Sequence, residues 1–370
     1  MNPSTAGRQI PVVVLAGFLG SGKTTLLNHL LRRRAGNRVA VIVNDFGAVE
    51  IDAMTVAGQV GSTVSLGNGC LCCAVDASEL DGYLDRLTRP AARIDLIVIE
   101  ASGLAEPQEL VRMILAGDNP RTVYGGLVEV VDAAEFDATR ARHPETDRHL
   151  AIADLVVLNK TDRVTPAEHE RVLGVIAGLG PDAAVVSATY GRIDPGLLFD
   201  PATRPDEDEK VRQLSFEDLR AEEEAAADGG QDEGPGHPHH PHTGYESLSF
   251  DEPAAMDPRR LMAFLDSRPE GLYRAKGFVD FGAADPDNRY AVHAVGRFLR
   301  FYPEPWPRGT ERRTRLVLIG SGIDRDALEK ELRICAVSGA DQGVTDEAAM
   351  WGVLRYVRSG PAAEEAADPV

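Results

Sequence analysis

Residues 17–24 read Gly17-Phe18-Leu19-Gly20-Ser21-Gly22-Lys23-Thr24, a match to G-x-x-x-x-G-K-S/T. An apolar, β-branched run (Val12 to Ala16) precedes the loop, and a helix-compatible stretch (Thr24 to Arg34) follows it. A strand, a glycine-rich loop and a helix in that order commit a chain to a parallel sheet with a phosphate cradle at one strand end. Glycines let the backbone turn its N–H groups inward around phosphate oxygens. The spacing assigns Gly17, Gly20, Ser21, Gly22 and Thr25 to the cradle. Lys23 is placed to reach the β and γ phosphates, and the Thr24 hydroxyl to ligate Mg²⁺. The helix N-terminus adds positive potential at the same place.

The pattern from residue 11 to about 200 agrees with that start. Short apolar runs (PVVVLAG, RVAVIVN, DLIVIEA, GGLVEVVDA, DLVVLNK, AAVVSAT) alternate with amphipathic stretches at Ala77–Leu87, Pro107–Ala116 and Pro166–Gly178. Continuous apolar strands alternating with helices predict a parallel sheet covered on both faces. The expected fold class is therefore α/β, a doubly wound parallel-sheet P-loop NTPase domain over residues 1–205, followed by a small α+β C-terminal domain. Residues 206–244 are acidic and then His-rich, read as a solvated linker, with an acidic surface helix over Phe216–Ala227 as the alternative. Residues 245–360 form the second domain, with strands in SLSF, GLYRAKGFVDF, RYAVHAVGRFLRFY and TRLVLIG. Helices over Asp257–Asp266 and Asp324–Arg333 each open near an Asp that can cap them. Residues 361–370 read as a disordered tail.

Composition excludes some roles. A net charge of −19 argues against general nucleic-acid binding, which wants an excess of Lys and Arg. No stretch has the apolar length of a membrane span. The N-terminal run leads straight into the phosphate loop and reads as a first strand, not a leader, so the expected location is cytoplasmic.

Asn159-Lys160-Thr161-Asp162 follows the apolar run Leu155–Leu158 and has the N-K-x-D form. A carboxylate at Asp162 can accept from guanine N1–H and the exocyclic amine together, a match adenine lacks. Lys160 is placed along the base plane. Ser187-Ala188, one strand later, is where a backbone N–H would meet guanine O6. GTP is thus favoured over ATP, the other reading being a helix N-cap by Thr161 or Asp162. Two segments fall where γ-phosphate-sensing loops belong: Asn44-Asp45-Phe46-Gly47, and Glu100 to Pro107. A carboxylate at a parallel strand end beside the cradle can hold Mg²⁺ through water or orient the attacking water. Glu100 is the candidate, with Asp45 as a second, and Gly103 is placed to donate its N–H to the γ-phosphate. Polar strand ends are the plainer reading of both carboxylates.

Three of the four cysteines lie in Cys70-Leu71-Cys72-Cys73, flanked by glycines. Thiolates so close together suit Zn²⁺ or another soft ion over Mg²⁺. Tetrahedral Zn²⁺ needs a fourth ligand, and an open position suits transfer rather than permanent storage. A Cys70–Cys73 redox pair and inert packing are the competing readings. His237, His239, His240 and His242 alternate with prolines and form an accessory capture site for a transition metal, or a plain polar linker.

GFLGSGKTT (17–25), NDFG (44–47), GNGCLCC (67–73), EASGLAEP (100–107) and NKTD (159–162), with RAKGFVDF and LVLIG further on, resemble the CobW-type GTPases over nearly the whole chain. The resemblance implies GTP hydrolysis to GDP coupled to delivery of a metal, often zinc and in some relatives cobalt (Co²⁺), to a client metalloprotein met through the C-terminal domain. That domain could also serve self-association. Activation of one enzyme, such as nitrile hydratase or a cobalamin-pathway enzyme, is the alternative, as is recruitment to a larger assembly during zinc starvation. Where the family commonly reads Asn-Glu-Phe-Gly-Glu, this chain has Asp45 and Ala48, which leaves the fourth metal ligand unassigned.

Overall fold

The computed structural model describes residues 9–32, 37–43, 63–65, 77–89, 92, 94–101, 106–180, 183–198, 245–267, 269–337 and 347–357. Asp45, Gly103, Cys70, Cys72, Cys73, the four histidines at 237–242, the 206–244 linker with its alternative helix, and the 361–370 tail lie outside the described residues.

The first half is β1 (Ile10–Ala16), α1 (Lys23–Arg32), β2 (Val39–Val43), β3 (Thr63–Ser65), α2 (Ala77–Leu87), β4 (Leu96–Glu100), α3 (Pro107–Ala116) and β5 (Thr122–Asp132), then α4 (Phe136–Arg142), α5 (Glu145–Ile152), β6 (Leu155–Asn159), α6 (Pro166–Leu179) and β7 (Ala184–Ser187). The strands pair in the order β3-β2-β4-β1-β5-β6-β7, with every pair parallel. α2 and α3 begin and end at the residues expected from periodicity, and α6 runs one residue beyond Gly178. Thr165 caps α6 in a capping box closed by Glu168, with Pro166 at its first position.

The burial of whole strands explains their unbroken apolar runs. Val12 and Val14 pack with α2 and α3 on one face, while Val13 and Leu15 pack with Leu26, Leu27 and Leu30 of α1 on the other. The short strand β3 and the pair α4–α5 carry too few periodic apolar positions to be read from sequence. Phe136 of α4 and Leu150 of α5 are the main buried anchors of that helix pair, packed on Val156 and Leu158 of β6.

The second half builds an antiparallel sheet in the order β11-β10-β9-β12-β8, from β8 (Glu246–Glu252), β9 (Leu272–Val279), β10 (Asn288–Val295), β11 (Phe298–Pro305) and β12 (Thr314–Gly320). The run RYAVHAVGRFLRFY folds as two strands, β10 and β11, because Gly296 (φ 48°) turns the chain with Arg297. α7 (Pro258–Ser267) and α8 (Arg325–Ile334) start at Asp257 and Asp324, whose carboxylates accept from Arg260 and Ala327 N–H groups. Leu261, Phe264, Leu328 and Leu332 of these helices share a core with Phe250, Tyr290 and Phe301 of the sheet.

The two sheets meet at β5. Gly125 is an extra residue in that strand, because the register slips from Val12↔Tyr124 to Val13↔Gly126. Tyr273 Oη donates to Gly125 O at 3.3 Å, and His293 Nε2 lies 2.9 Å from Tyr124 O. Tyr273, Val295 and Ile319 join the core that also holds Val128 and Leu15.

Candidate nucleotide-binding site

The phosphate loop connects β1 to α1, and three of its glycines take φ between 80° and 142° (Gly17, Gly20, Gly22), a region closed to most side chains. Space closes two of them further. A Cβ on Gly17 would sit 2.4 Å from Val130 O, and one on Gly22 would sit 2.3 Å from Asn159 Nδ2. The loop is therefore pressed against β5 on one side and the end of β6 on the other, with Ser21 buried beneath it. Lys23 is buried and its Nζ donates to Gly17 O at 2.7 Å, so the ammonium lies inside the curve of the loop. Thr24 Oγ1 donates to Glu100 Oε1 at 3.2 Å across the gap between α1 and the end of β4. Thr25 is exposed in the first turn of α1.

Asn159 braces this arrangement. Its Nδ2 donates to Ser21 O at 2.9 Å, and its Oδ1 accepts from Gly191 N–H at 2.9 Å. One buried amide thus ties the phosphate loop to the loop after β7. Lys160 takes φ 60°, and its Nζ reaches Gly20 O at 2.8 Å and Asp132 Oδ2 at 2.6 Å. Its aliphatic stem therefore runs from the end of β6 to the tip of the phosphate loop. Asp162 follows in a short 3₁₀ turn (Thr161–Arg163) with its side chain exposed.

The structure brings Lys23, Thr24, Glu100, Asn159, Lys160 and the loop glycines to the C-terminal edge of one parallel sheet, where ligands bind in open α/β folds. Ser187 ends β7. Its Oγ lies 2.7 Å from His169 Nε2 of α6, and the Ala188 N–H is taken by Leu158 O at 2.8 Å. Both groups are held by the sheet and its covering helix. Sequence reading missed Asp132, the partner of Lys160, and Gly191, which stacks so closely on α1 that a Cβ would sit 2.7 Å from Leu26 N. The Asp ending the apolar run of β5 was the available signal for the first.

Glu129 was also missed. It is 2 % exposed, and its Oε2 has no hydrogen-bond partner among the described residues. It borders two cavities of ≈ 290 and ≈ 280 Å³ that flank Phe18. Burial pushes its carboxyl up to about 8, opposed in part by the charge of Lys23. Cys335, the isolated cysteine, is buried at the end of α8, and burial raises its thiol to about 11. Among the described residues no cluster of three His, Cys, Asp or Glu side chains could hold a metal. No helix among them is long and apolar enough to cross a membrane.

A phosphate loop on a parallel sheet, with an N-K-x-D turn clamped to it through Asn159, defines a P-loop nucleotide-binding protein. Residues 11–187 match the CobW/HypB/UreG nucleotide-binding domain, and residues 245–336 the cobalamin synthesis protein cobW C-terminal domain. The chain is 34% identical over 371 residues to the zinc chaperone CobW of Pseudomonas aeruginosa, spanning 88% of this chain and 91% of that one. It is 35% identical to the zinc chaperone YjiA of Escherichia coli over 54% of this chain and 62% of YjiA. It is 34% identical to the zinc-regulated GTPase metalloprotein activator 1 of Schizosaccharomyces pombe over 50% of this chain and 47% of that protein. The chain belongs to the CobW family of P-loop GTPases.

Proposed function

We propose that this chain is a GTP-hydrolysing metallochaperone that carries a transition metal, zinc first, on Cys70, Cys72 and Cys73 and passes it to a client metalloprotein in the cytoplasm. The observation that carries the reading is the similarity to a zinc chaperone over 88% of this chain, held together with an intact nucleotide cradle. Lys23 inside the loop is the cation for the β and γ phosphates. Asp162 reads the guanine edge over the stem of Lys160. Thr24 Oγ1 and Glu100 Oε1, 3.2 Å apart, are the hard oxygen donors that a magnesium ion takes, and they fit it directly or through water. Bound there, Mg²⁺ would supply charge neutralisation on the β and γ oxygens. Glu100, with Asp45 as a second carboxylate, orients the attacking water, and the Gly103 N–H senses the γ-phosphate.

The cysteines lie in sequence between the two sensing segments, 44–50 and 100–107. Ordering of those segments by GTP closes the thiolate site, and hydrolysis reopens it for transfer. The C-terminal domain is the surface for the client or for a second copy. His237, His239, His240 and His242 serve as an accessory capture site, and deleting residues 236–242 should lower metal stoichiometry while GTP turnover persists.

The test is a zinc competition titration of the wild type and of a Cys70→Ser, Cys72→Ser, Cys73→Ser triple variant, with and without GTP. The reading expects loss of the tight site in the variant and, in the wild type, tighter zinc with GTP, by a factor of roughly 5–150 if the coupling is of ordinary size. Equal affinity in wild type and variant would sink the thiolate site. Equal affinity with GTP, with GDP and without nucleotide would sink the coupling.

A further inference from the structure

Lys160 (φ 60°) and Tyr190 (φ 53°) are the only non-glycine residues with positive φ among the described residues. They lie on neighbouring loops, one after β6 and one after β7. Four contacts join these loops: Thr161 N–H to Ala188 O at 3.2 Å, Thr161 Oγ1 to Ala188 O at 3.1 Å, Thr161 Oγ1 to Thr189 Oγ1 at 3.3 Å, and Gly191 N–H to Asn159 Oδ1 at 2.9 Å. Gly191, immediately after Tyr190, is wedged against the backbone of Leu26 in α1. The peptide carrying Tyr190 is thus fixed on both sides, within one side chain of Ser21 in the phosphate loop. Tyr190 itself is 66% exposed.

Folding does not account for that residue. A left-handed backbone favours glycine or asparagine, and a large ring there is strained. A ring so exposed buries little apolar area in return. Strained, over-determined backbone positions cluster at ligand clamps, and here both such residues border one place. A nucleotide whose phosphates sit in the loop of residues 17–24, with its base edge on Asp162, lies over Asn159 and the stem of Lys160. The rim of that place on the β7 side is Thr189–Gly191.

We propose that Tyr190 is the ring on which the guanine base stacks, on the side opposite the Lys160 stem, which makes it a nucleotide-positioning residue. The proposal rests on the guanine-site reading above. Aromatic stacking on a base is independent of base identity. Tyr190 therefore sets affinity and pose, while Asp162 sets the choice of guanine.

The experiment measures GDP, ADP and pyrophosphate binding by calorimetry to the full-length wild type and to Tyr190→Phe, Tyr190→Ala and Tyr190→Gly, with Tm of each nucleotide-free protein. Loss of the stacked ring in Tyr190→Ala should weaken GDP by about 10-fold or more. Tyr190→Phe keeps the ring face and should hold GDP within about twofold. Pyrophosphate affinity should not move in any variant. Tyr190→Gly should weaken GDP like Tyr190→Ala while leaving Tm unchanged or raised, since it relieves the left-handed strain. A structural role for the ring predicts the reverse, a lowered Tm. Unchanged GDP affinity in Tyr190→Ala overturns the proposal, as does loss of pyrophosphate binding along with GDP. A wild type that binds GDP no better than ADP overturns the guanine-site reading itself, which is a separate and recognisable result.

Discussion

Glu129 is the residue whose chemistry departs furthest from its sequence appearance. In GGLVEVVDA it interrupts an apolar strand, and the sheet buries it beside Ala16, facing the cavities around Phe18. Its carboxyl titrates near 4.5 in water and about 8 in the fold, chiefly through burial. The native state therefore holds more protons than the unfolded chain between those values. The contribution of this group to stability is fully present below pH 4.5 and is lost as pH rises through about 8. Glu129→Gln keeps the shape and removes the ionisation, so its Tm advantage over wild type should grow from pH 5 to pH 8. A constant difference across that range would contradict the assignment. Asn159 is the opposite case, a polar residue fully committed to partners. Asn159→Ala strands Ser21 O and Gly191 N–H in a buried place, and should cost about 2 kcal/mol or more in urea unfolding while weakening GDP binding.

At the scale of elements, β5 carries the most. Its C-terminal end supplies Glu129, Val130 against Gly17, and Asp132 for Lys160, while its bulge at Gly125 receives Tyr273 and His293 from the second sheet. Asp154 anchors the same region, accepting from Tyr124 Oη at 2.5 Å and Leu127 N–H at 2.8 Å. Burial first, and then this carboxylate, raise the Tyr124 phenol far above its ordinary range. The hairpin turn at Gly296 closes over the anchor, and a Cβ there would lie 1.7 Å from Asp154 Oδ1. Gly296→Ala should therefore lower stability by about 2–3 kcal/mol in urea unfolding, through overpacking and a φ of 48° that alanine resists. An unchanged midpoint would show that the hairpin can lift from β5 without loss.

For the whole molecule the decisive quantity is the coupling between two ligands. If metal and GTP bias one pair of segments, each must tighten the other by the same factor. GTP affinity measured with and without zinc should therefore reproduce the ratio found for zinc with and without GTP. Unequal ratios would place the two ligands on separate equilibria. The strongly acidic balance of the chain, −19, raises the local concentration of cations.

What could be read from residues alone was whatever local chemistry decides. The phosphate loop, the capped helices and the unbroken parallel strands each follow from short-range rules of backbone freedom, capping and burial. N-K-x-D was legible because its place after a strand and downstream of the phosphate loop can be counted. Contacts between segments far apart in the chain could not be counted that way. The sharing of Asn159 between Ser21 and Gly191, the Asp132 partner of Lys160, and the commitment of Ser187 to His169 are side-chain hydrogen bonds set by how strands lie side by side. The burial of Glu129 and the seating of the second sheet on the β5 bulge have the same origin. A carboxylate's neighbours, and hence its charge, depend on which strands and helices enclose it, and only the tertiary structure decides that.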